Sequence, residues 1–418
     1  MNLNPWVTLI IVGITYTGIA IGRWPFLKSN RATVALVGVG ALLVFNQLEF
    51  QKLPDYLDFD TLILLFSMMI INANLKFAGF FDLASKFLLK TARTPRLFLA
   101  LEILIGGILS ALFLNDTICL VFTPLIIETT LALRRNPLPY LIALATAVNV
   151  GSVFTLTGNP QNMIIGISSG ISYLDFAITL LPIAIIGMVI IWFVITRFYK
   201  VEFQAEKFFP VEEKNQPVNQ WMLTKTLVVV TGLLIAFMAG VPIALASFLA
   251  ACVLLLTRRT QPHLVFAEFD WGLLVFFSGL FILSGVLETN GVTMLIFDFL
   301  KINSNMGVWP LSLSTLILSN LVSNVPAVLL FRPVIALLSN PHAGWITLAM
   351  AATFAGNLTL LGSVANLIVA EIASRWRITI SFWEYTKAGF VITVLTMLTG
   401  TFYLSWFIWY CNLSDKIP

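Results

Sequence analysis

The chain has 418 residues, of which 59% are hydrophobic and only 11% are charged, and its mean hydropathy is +0.94. A soluble domain carries about one quarter charged residues, so this composition indicates a protein that folds in a bilayer. The net charge of +4 comes from short basic clusters between apolar runs, which excludes a nucleic-acid-binding surface. The three cysteines and two histidines have no metal-ligand spacing, so the sequence predicts no disulfide framework, metal centre or cofactor.

The first half, residues 1–200, is predicted to form one membrane repeat. Its first apolar run, 6–22, is followed but not preceded by basic residues, which favours a retained span with the N-terminus outside. Polar or basic breaks after the later runs fit five crossings and one re-entrant hairpin, at about 97–133, with a broken helix at about 138–170. The stretch 201–220 mixes charges with prolines and is predicted to be a cytoplasmic linker.

The second half, residues 221–418, is predicted to repeat the first half upside down, with a hairpin at about 306–340 and a broken helix at about 344–374. Residues 115–124 match 324–333, and Phe59-Asp60 parallels Phe269-Asp270. A further set of matches has identical spacing in the two halves: Thr155, Gly158 and Asn162 with Thr359, Gly362 and Asn366. Because each half has an odd number of crossings, the second copy is inverted.

Most of the 24 basic residues fall in segments that this topology places on one side of the membrane. The positive-inside rule identifies that side as the cytoplasm, which leaves both termini outside. Charge counting does not distinguish a hairpin from two crossings between 97 and 133, because both give the same parity. The short loops and compact length predict a multi-pass protein of a prokaryotic inner membrane.

Two pairs of polar interruptions at membrane depth mark the candidate site. The first pair is Asn115-Asp116-Thr117 and Ser323-Asn324-Val325, at the predicted hairpin tips. The second pair, 155–162 and 359–366, combines glycine and amide residues, with a proline in the first copy, and breaks a helix. A broken helix presents carbonyl ends that suit cations and amide ends that suit anions. Irregular backbone at this depth must line protein or water, so these segments predict an ion and substrate site.

In this order, the four segments resemble those of the ion transporter superfamily, which includes arsenite-efflux permeases, sodium/proton antiporters, citrate transporters, divalent-anion/sodium symporters and silicon-efflux transporters of plants. The most telling stretches are 115–120, 157–162, 323–326 and 361–366. The resemblance covers nearly the whole chain. It implies an all-α polytopic membrane fold with scaffold helices, two re-entrant hairpins, two broken helices, elevator-like movement of the site and a tendency to form homodimers.

The first hairpin tip departs from the Ser-Asn-Thr of divalent-anion symporters and is similar to the arsenite-permease and antiporter branches. An intramembrane carboxylate there takes up a proton or pairs with a cation, so Asp116 is expected to carry the coupling proton or sodium. Asn115 and Gly158 are further candidates for transient Na⁺ contact, and Arg332 is a candidate charge partner unless it snorkels to the surface. The resemblance and the repeat together imply this set of ion and substrate contacts: Asn115, Asp116, Thr117, Thr157, Gly158, Asn159, Asn162, Ser323, Asn324, Gly362, Ser363 and Asn366.

The predicted function is coupled transport of a small inorganic or carboxylate anion, or of a neutral oxyacid such as arsenite or silicic acid. A passive anion channel on the same scaffold is the alternative, because a repeat does not determine whether both gates open together. An intramembrane enzyme would need a nucleophile with a base or a set of metal ligands, and the sequence shows neither pattern. For single site residues the alternatives to ion or substrate binding are structural roles. These are a helix cap for Asp116 and interhelical hydrogen bonding for Asn162 and Asn366.

Overall fold

A computed structural model of the chain describes residues 4–21, 29–204, 218–256, 261–293, 295 and 306–414, with side chains as far as residue 409. Residues 205–217 of the predicted linker lie outside the described residues. Residues 1–3 and 415–418, the two termini that the sequence predicts on the outer side of the membrane, also lie outside them. Within the described ranges the regular structure is helical and no strand is present.

Nine α-helices form the first half. They are α1 Pro5–Ile21, α2 Arg31–Val44, α3 Phe59–Ala78, α4 Phe80–Thr91, α5 Pro95–Leu112, α6 Asn115–Ala132, α7 Pro137–Ser152, α8 Pro160–Ser169 and α9 Tyr173–Phe198. Short 3₁₀ segments lie at Phe50–Tyr56 and Glu202–Gln204.

The described part of the second half also consists of helices. They are α10 Gln220–Met238, α11 Ile243–Leu255, α12 Pro262–Ala267, α13 Trp271–Thr289, α14 Val308–Val322, α15 Asn324–Ile335, α16 Pro341–Ala355, α17 Val364–Arg375 and α18 Phe382–Ser414.

Local chemistry explains where the hairpins and breaks occur. Proline occupies the first turn of α5, α7, α8 and α16, where its missing N–H costs nothing. The first hairpin, α5 and α6, turns over residues 113–114, and the second, α14 and α15, turns at Ser323 alone. Ser323 has φ 79°, a left-handed conformation that is unfavourable for a residue with a Cβ. The breaks span residues 153–159, between α7 and α8, and 356–363, between α16 and α17.

Helix packing shows the repeat directly, because the largest contacts in one half have counterparts in the other. α5 packs on α7 as α14 packs on α16, and α7 packs on α9 as α16 packs on α18. Across the halves, α2 packs on α13 as α11 packs on α3, and α6 contacts α17 as α15 contacts α8. A two-fold axis between two inverted copies produces such reciprocal pairs of helix contacts. The protein is an all-α polytopic membrane protein built from two inverted repeats.

The helices form two groups. α1, α2, α3, α10, α11 and α13 pack mainly on one another, whereas the hairpins, broken helices, α9 and α18 make a second bundle. Among the described residues, six helices are long and apolar enough to cross a bilayer: α3, α5, α9, α10, α13 and α18. Length alone therefore does not separate hairpin arms such as α5 from full crossings.

Two details differ from the expectations drawn from the sequence. The aspartate equivalent to Asp270 is Asp58 rather than Asp60, because Asp58 and Asp270 both accept a backbone hydrogen bond as N-caps of α3 and α13. Asp60 instead lies in the first turn of α3. In addition, part of the polar stretch before α5 forms α4, a 12-residue helix that buries only Phe81, Ser85 and Leu88.

Candidate functional site

An amide cluster joins the two broken helices at the centre of the second bundle. Its hub is Asn149, near the end of α7, which is 2% exposed. The Asn149 Nδ2 donates to Asn357 Oδ1 at 2.9 Å and to Asn366 Oδ1 at 3.1 Å. The Asn149 Oδ1 accepts from Ser363 Oγ at 3.1 Å and from Asn115 Nδ2 at 3.4 Å. One side chain therefore contacts the first hairpin tip and the second break.

Asn162 and Asn366 play the same structural part in the two copies. The Asn162 Nδ2 lies within hydrogen-bond distance of three carbonyls at the end of α7 and in the break, those of Ser152, Val153 and Thr155. The Asn366 Nδ2 donates to the carbonyls of Gly356 and Thr359. Carbonyls freed by a helix break are costly without donors, so these amides hold both breaks open.

The first hairpin tip is attached to the first break. The backbone N–H of Asn115 donates to the Gly158 carbonyl at 3.0 Å, and the Asn115 Oδ1 accepts from the N–H of Asp116. Asn159 caps α8 by accepting from the N–H of Asn162, and its Nδ2 reaches Thr353 Oγ1 of α16 at 3.4 Å. The predicted residues Asn115, Gly158, Asn159, Asn162, Ser363 and Asn366 are thus brought together.

Asp116 and Thr117 lie on the other side of the same tip, toward the first group of helices. Asn72 of α3 donates to Thr117 Oγ1 at 3.1 Å. Asp270 and Arg31, at the beginnings of α13 and α2, are the charged side chains that act on the Asp116 carboxyl. The predicted partner Arg332 is exposed in the last turn of α15, and Arg31 is the arginine whose charge influences Asp116.

The second hairpin tip adjoins a cavity of about 970 Å³. α1 forms one wall with Tyr16 and Thr17, and the tip and second break contribute Asn320, Ser323 and Thr359 among mostly apolar side chains. Asn324 is 7% exposed and its Oδ1 has no hydrogen-bond partner, nor has the Oδ1 of Asn320. Asn320 lines the cavity and Asn324 directly follows the lining residue Ser323, so these two acceptors are available to a ligand that donates hydrogen bonds.

The two N-termini that enter the site differ. α8 begins at a proline and is capped by Asn159. α17 has no side-chain cap, because Ser363 at its N-cap position directs its Oγ to Asn149 instead. The first backbone N–H groups of α17 are therefore better placed than those of α8 to bind an anion or a polar oxygen.

Thr157 lies apart from the amide cluster. Its hydroxyl is 3.5 Å from the Tyr173 hydroxyl.

Gly158 and Gly362 sit where a side chain has no room. A Cβ on Gly158 would lie 2.7 Å from the Ser152 carbonyl oxygen, and one on Gly362 would lie 2.9 Å from that of Gly356. We expect Gly158→Ala and Gly362→Ala each to lower the free energy of unfolding by about 1–3 kcal/mol and to impair transport, because the added methyl group displaces the break that contains it. Thermal unfolding in detergent measures the first effect. Gly232→Ala is the control, since nothing lies within 4 Å of its Cβ position.

Four residues of this region escaped the sequence interpretation: Asn149, Asn357, Asn320 and Arg31. Asn149 and Asn320 each stand inside a helical run shortly before a predicted interruption, so the available signal was an amide in apolar sequence. Arg31 follows the first apolar run and was counted with the loop charges. Its position near Asp116 depends on packing between distant helices, for which the sequence carries no local signal.

Comparisons with known proteins agree with this architecture. A model of the citrate transporter family matches residues 16–355. The chain is 30% identical to the silicon efflux transporter LSI3 of Oryza sativa subsp. japonica, over 90% of this chain and 92% of that protein. It is 25% identical to the putative transporter arsB of Dictyostelium discoideum, over 96% and 92%. The solved structure of the Alcanivorax borkumensis YdaH transporter has the same fold, with a TM-score of 0.62 at 13% identity over 97% of both chains.

Proposed function

Because the chain belongs to the citrate transporter family and is a membrane transporter, we propose that it is a secondary active transporter of a small anion or oxyacid. We further propose that a proton or sodium ion bound at Asp116 drives it. The observation that carries this proposal is the position of Asp116, half-buried at a hairpin tip between the two helix groups and acted on by Arg31. An ionisable residue at such a place marks an ion pathway in membrane proteins.

The hydrogen bonds of the first break favour a proton over sodium. The Gly158 carbonyl accepts from Asn115, and the Ser152 and Thr155 carbonyls accept from Asn162. A sodium ion at Asn115, Asp116 and Gly158 would have to compete with these internal donors for its oxygen ligands. A proton needs only the Asp116 carboxyl.

The chemistry of the cluster supports a small, oxygen-rich substrate. Amide groups, hydroxyls and the uncapped N-terminus of α17 surround it, and the acceptors of Asn320 and Asn324 are free of partners. The N–H groups bind hydroxyl and anionic oxygens alike, whereas the two free amide oxygens need a ligand that donates, such as a hydroxyl of silicic or arsenous acid or a protonated carboxyl. The naming of one relative as a silicon efflux transporter makes silicic acid the first neutral substrate to test.

We propose that the second bundle moves against the first group of helices. The cavity lies between α1 and the second hairpin tip, although α1 also contacts α14, and the first hairpin tip is joined to α3 by the hydrogen bond from Asn72 to Thr117. The tip lies near the beginnings of α2 and α13, ends that the positive-inside prediction places toward the cytoplasm. A bundle displaced along this surface would carry the amide cluster to the opposite side, which is alternating access.

The test is flux in proteoliposomes that contain the purified full-length chain. Tracer uptake of silicic acid, arsenite and citrate is measured with an imposed proton gradient, with an imposed sodium gradient and with neither. Accumulation above the external concentration in one gradient establishes coupled transport and identifies the ion. Saturable flux that only equilibrates, unaffected by both gradients, would instead establish the facilitator.

A further inference from the structure

Glu102, in the middle of α5, is a buried carboxyl that the site described above does not use. Its side chain is 0% exposed, and neither carboxyl oxygen has a hydrogen-bond partner. Ionised carboxylates without partners are very unfavourable in an apolar interior, where the group keeps its proton instead. Glu102 is therefore a neutral acid in this conformation, and it holds a proton inside the first hairpin.

The helix geometry places Glu102 next to Tyr140. Phe98 and Glu102 are four residues apart on one face of α5, and the ring of Phe98 packs edge-on against that of Tyr140 at 5.2 Å. Farther along the same face, a Cβ on Gly106 would touch Leu144, one turn beyond Tyr140 on α7. Glu102 thus lies between these two contacts, on the face of α5 that packs against α7.

Tyr140 connects this position to the protein surface. Its hydroxyl donates to Glu202 Oε1 at 3.1 Å, and its ring is held between Phe98 and Phe203. The Glu202 side chain is 13% exposed and lies 3.9 Å from Arg135 at the face where α5 and α7 begin. A buried acid, a phenol and a carboxylate at the rim follow one another from the interior to that face.

The other elements packed on α5 bring few groups that could compete for the proton. The buried faces of α4, α6 and α9 at this end carry apolar or hydroxyl side chains: Phe81, Ser85 and Leu88; Ile126, Ile127 and Thr130; and Ile191, Val194 and Ile195. Tyr140, Glu202 and Arg135 are titratable or charged groups beside this region, and Arg96, in the first turn of α5, lies at the same rim, where its Nε donates to the Phe203 carbonyl at 3.1 Å.

We propose that Glu102 is a second proton-binding site of the transporter, loaded and emptied through Tyr140 and Glu202. On release, Glu102 passes its proton to the Tyr140 oxygen while the Tyr140 hydroxyl proton moves to the Glu202 carboxylate. Loading is the reverse, so Tyr140 carries no net charge before or after either step. The gap between Glu102 and the Tyr140 hydroxyl closes by side-chain rotation or by one bridging water. The role of this proton in transport rests on the proposed function, whereas the binding of the proton to Glu102 does not.

Infrared difference spectroscopy of the purified full-length protein tests the proposal without any substrate. We expect a carbonyl band of a protonated carboxyl that disappears in Glu102→Gln and persists in Glu128→Gln, a matched change at an exposed position of α6. After transfer to D₂O, the band should shift about 10²-fold more slowly in Tyr140→Phe, which keeps the ring and removes the hydroxyl. Glu202→Gln should slow it similarly.

Three results would overturn the inference. An unchanged spectrum in Glu102→Gln would mean that Glu102 is not protonated. A Glu102 band that never exchanges with D₂O would make it a permanently neutral packing group. Equal exchange rates in the wild-type protein, Tyr140→Phe and Glu202→Gln would exclude the route. Because all three measurements are independent of flux, they separate failure of this inference from failure of the proposed transport function.

Discussion

Replacing Asp116 by asparagine should abolish gradient-driven accumulation of substrate while leaving a folded protein in the membrane. Asparagine keeps the size and hydrogen-bonding capacity of the side chain but cannot take up a proton or balance a bound cation. Tracer uptake in proteoliposomes under the driving gradient measures the effect, and downhill exchange of substrate measures what remains.

Asp60→Asn is the matched control for this experiment. Asp60 is exposed in the first turn of α3, so losing its charge should change neither accumulation nor exchange. If Asp116→Asn still accumulates substrate against its gradient, Asp116 plays no part in coupling. Asp116 would then be left with a structural role in the first turn of α6, whose N-cap position is Leu114.

Replacing Asn149 by alanine should be the most damaging change to the site. It removes the partners of Asn357 Oδ1, Asn366 Oδ1 and the Ser363 hydroxyl together. Buried polar groups left without partners cost about 1–3 kcal/mol each, so the free energy of unfolding should fall by roughly 2–5 kcal/mol. Displaced breaks should also slow transport by about 10²-fold. Thermal unfolding and initial rates of uptake measure the two effects.

Asn74→Ala controls for the loss of a buried amide as such. Asn74 is 3% exposed, but its Nδ2 donates to the Ile70 carbonyl of its own helix. This substitution should change stability by no more than about 1 kcal/mol and leave transport intact. Equal effects of Asn149→Ala and Asn74→Ala would show that the amide cluster does not organise the site.

The sequence predicts the interruptions well because their causes are local. Proline at the start of α8, together with Gly158, and Gly362 in the second copy stand among polar residues in otherwise apolar runs, and this combination predicts a break, whereas Pro182 alone lies inside the continuous helix α9. The matching spacing of Asn162 and Asn366 then places both copies in one site. Their shared role as donors to broken-helix carbonyls explains why the spacing is the same in the two halves.

The partners of these residues were beyond sequence analysis because they are set by packing. Asn149 and Asn357 come from different halves of the chain, and nothing near either residue indicates the other. The charge of Arg31 influences Asp116, although 84 residues of chain separate the two, and nothing near either residue indicates this. Glu102 is different, since a lone glutamate in an apolar run was visible in the sequence and marks function by default.

The amide cluster also has a consequence for biosynthesis. The bonds from Asn149 to Asn357 and Asn366 span 208 and 217 residues of chain. While the ribosome is still producing the second repeat, Asn149 has neither of these acceptors, and its Nδ2 is a donor without a partner inside the inserted first half. Completion of the chain and closure of the site are therefore one event. A product that stops after the first repeat carries a defect within the membrane that quality-control proteases can recognise.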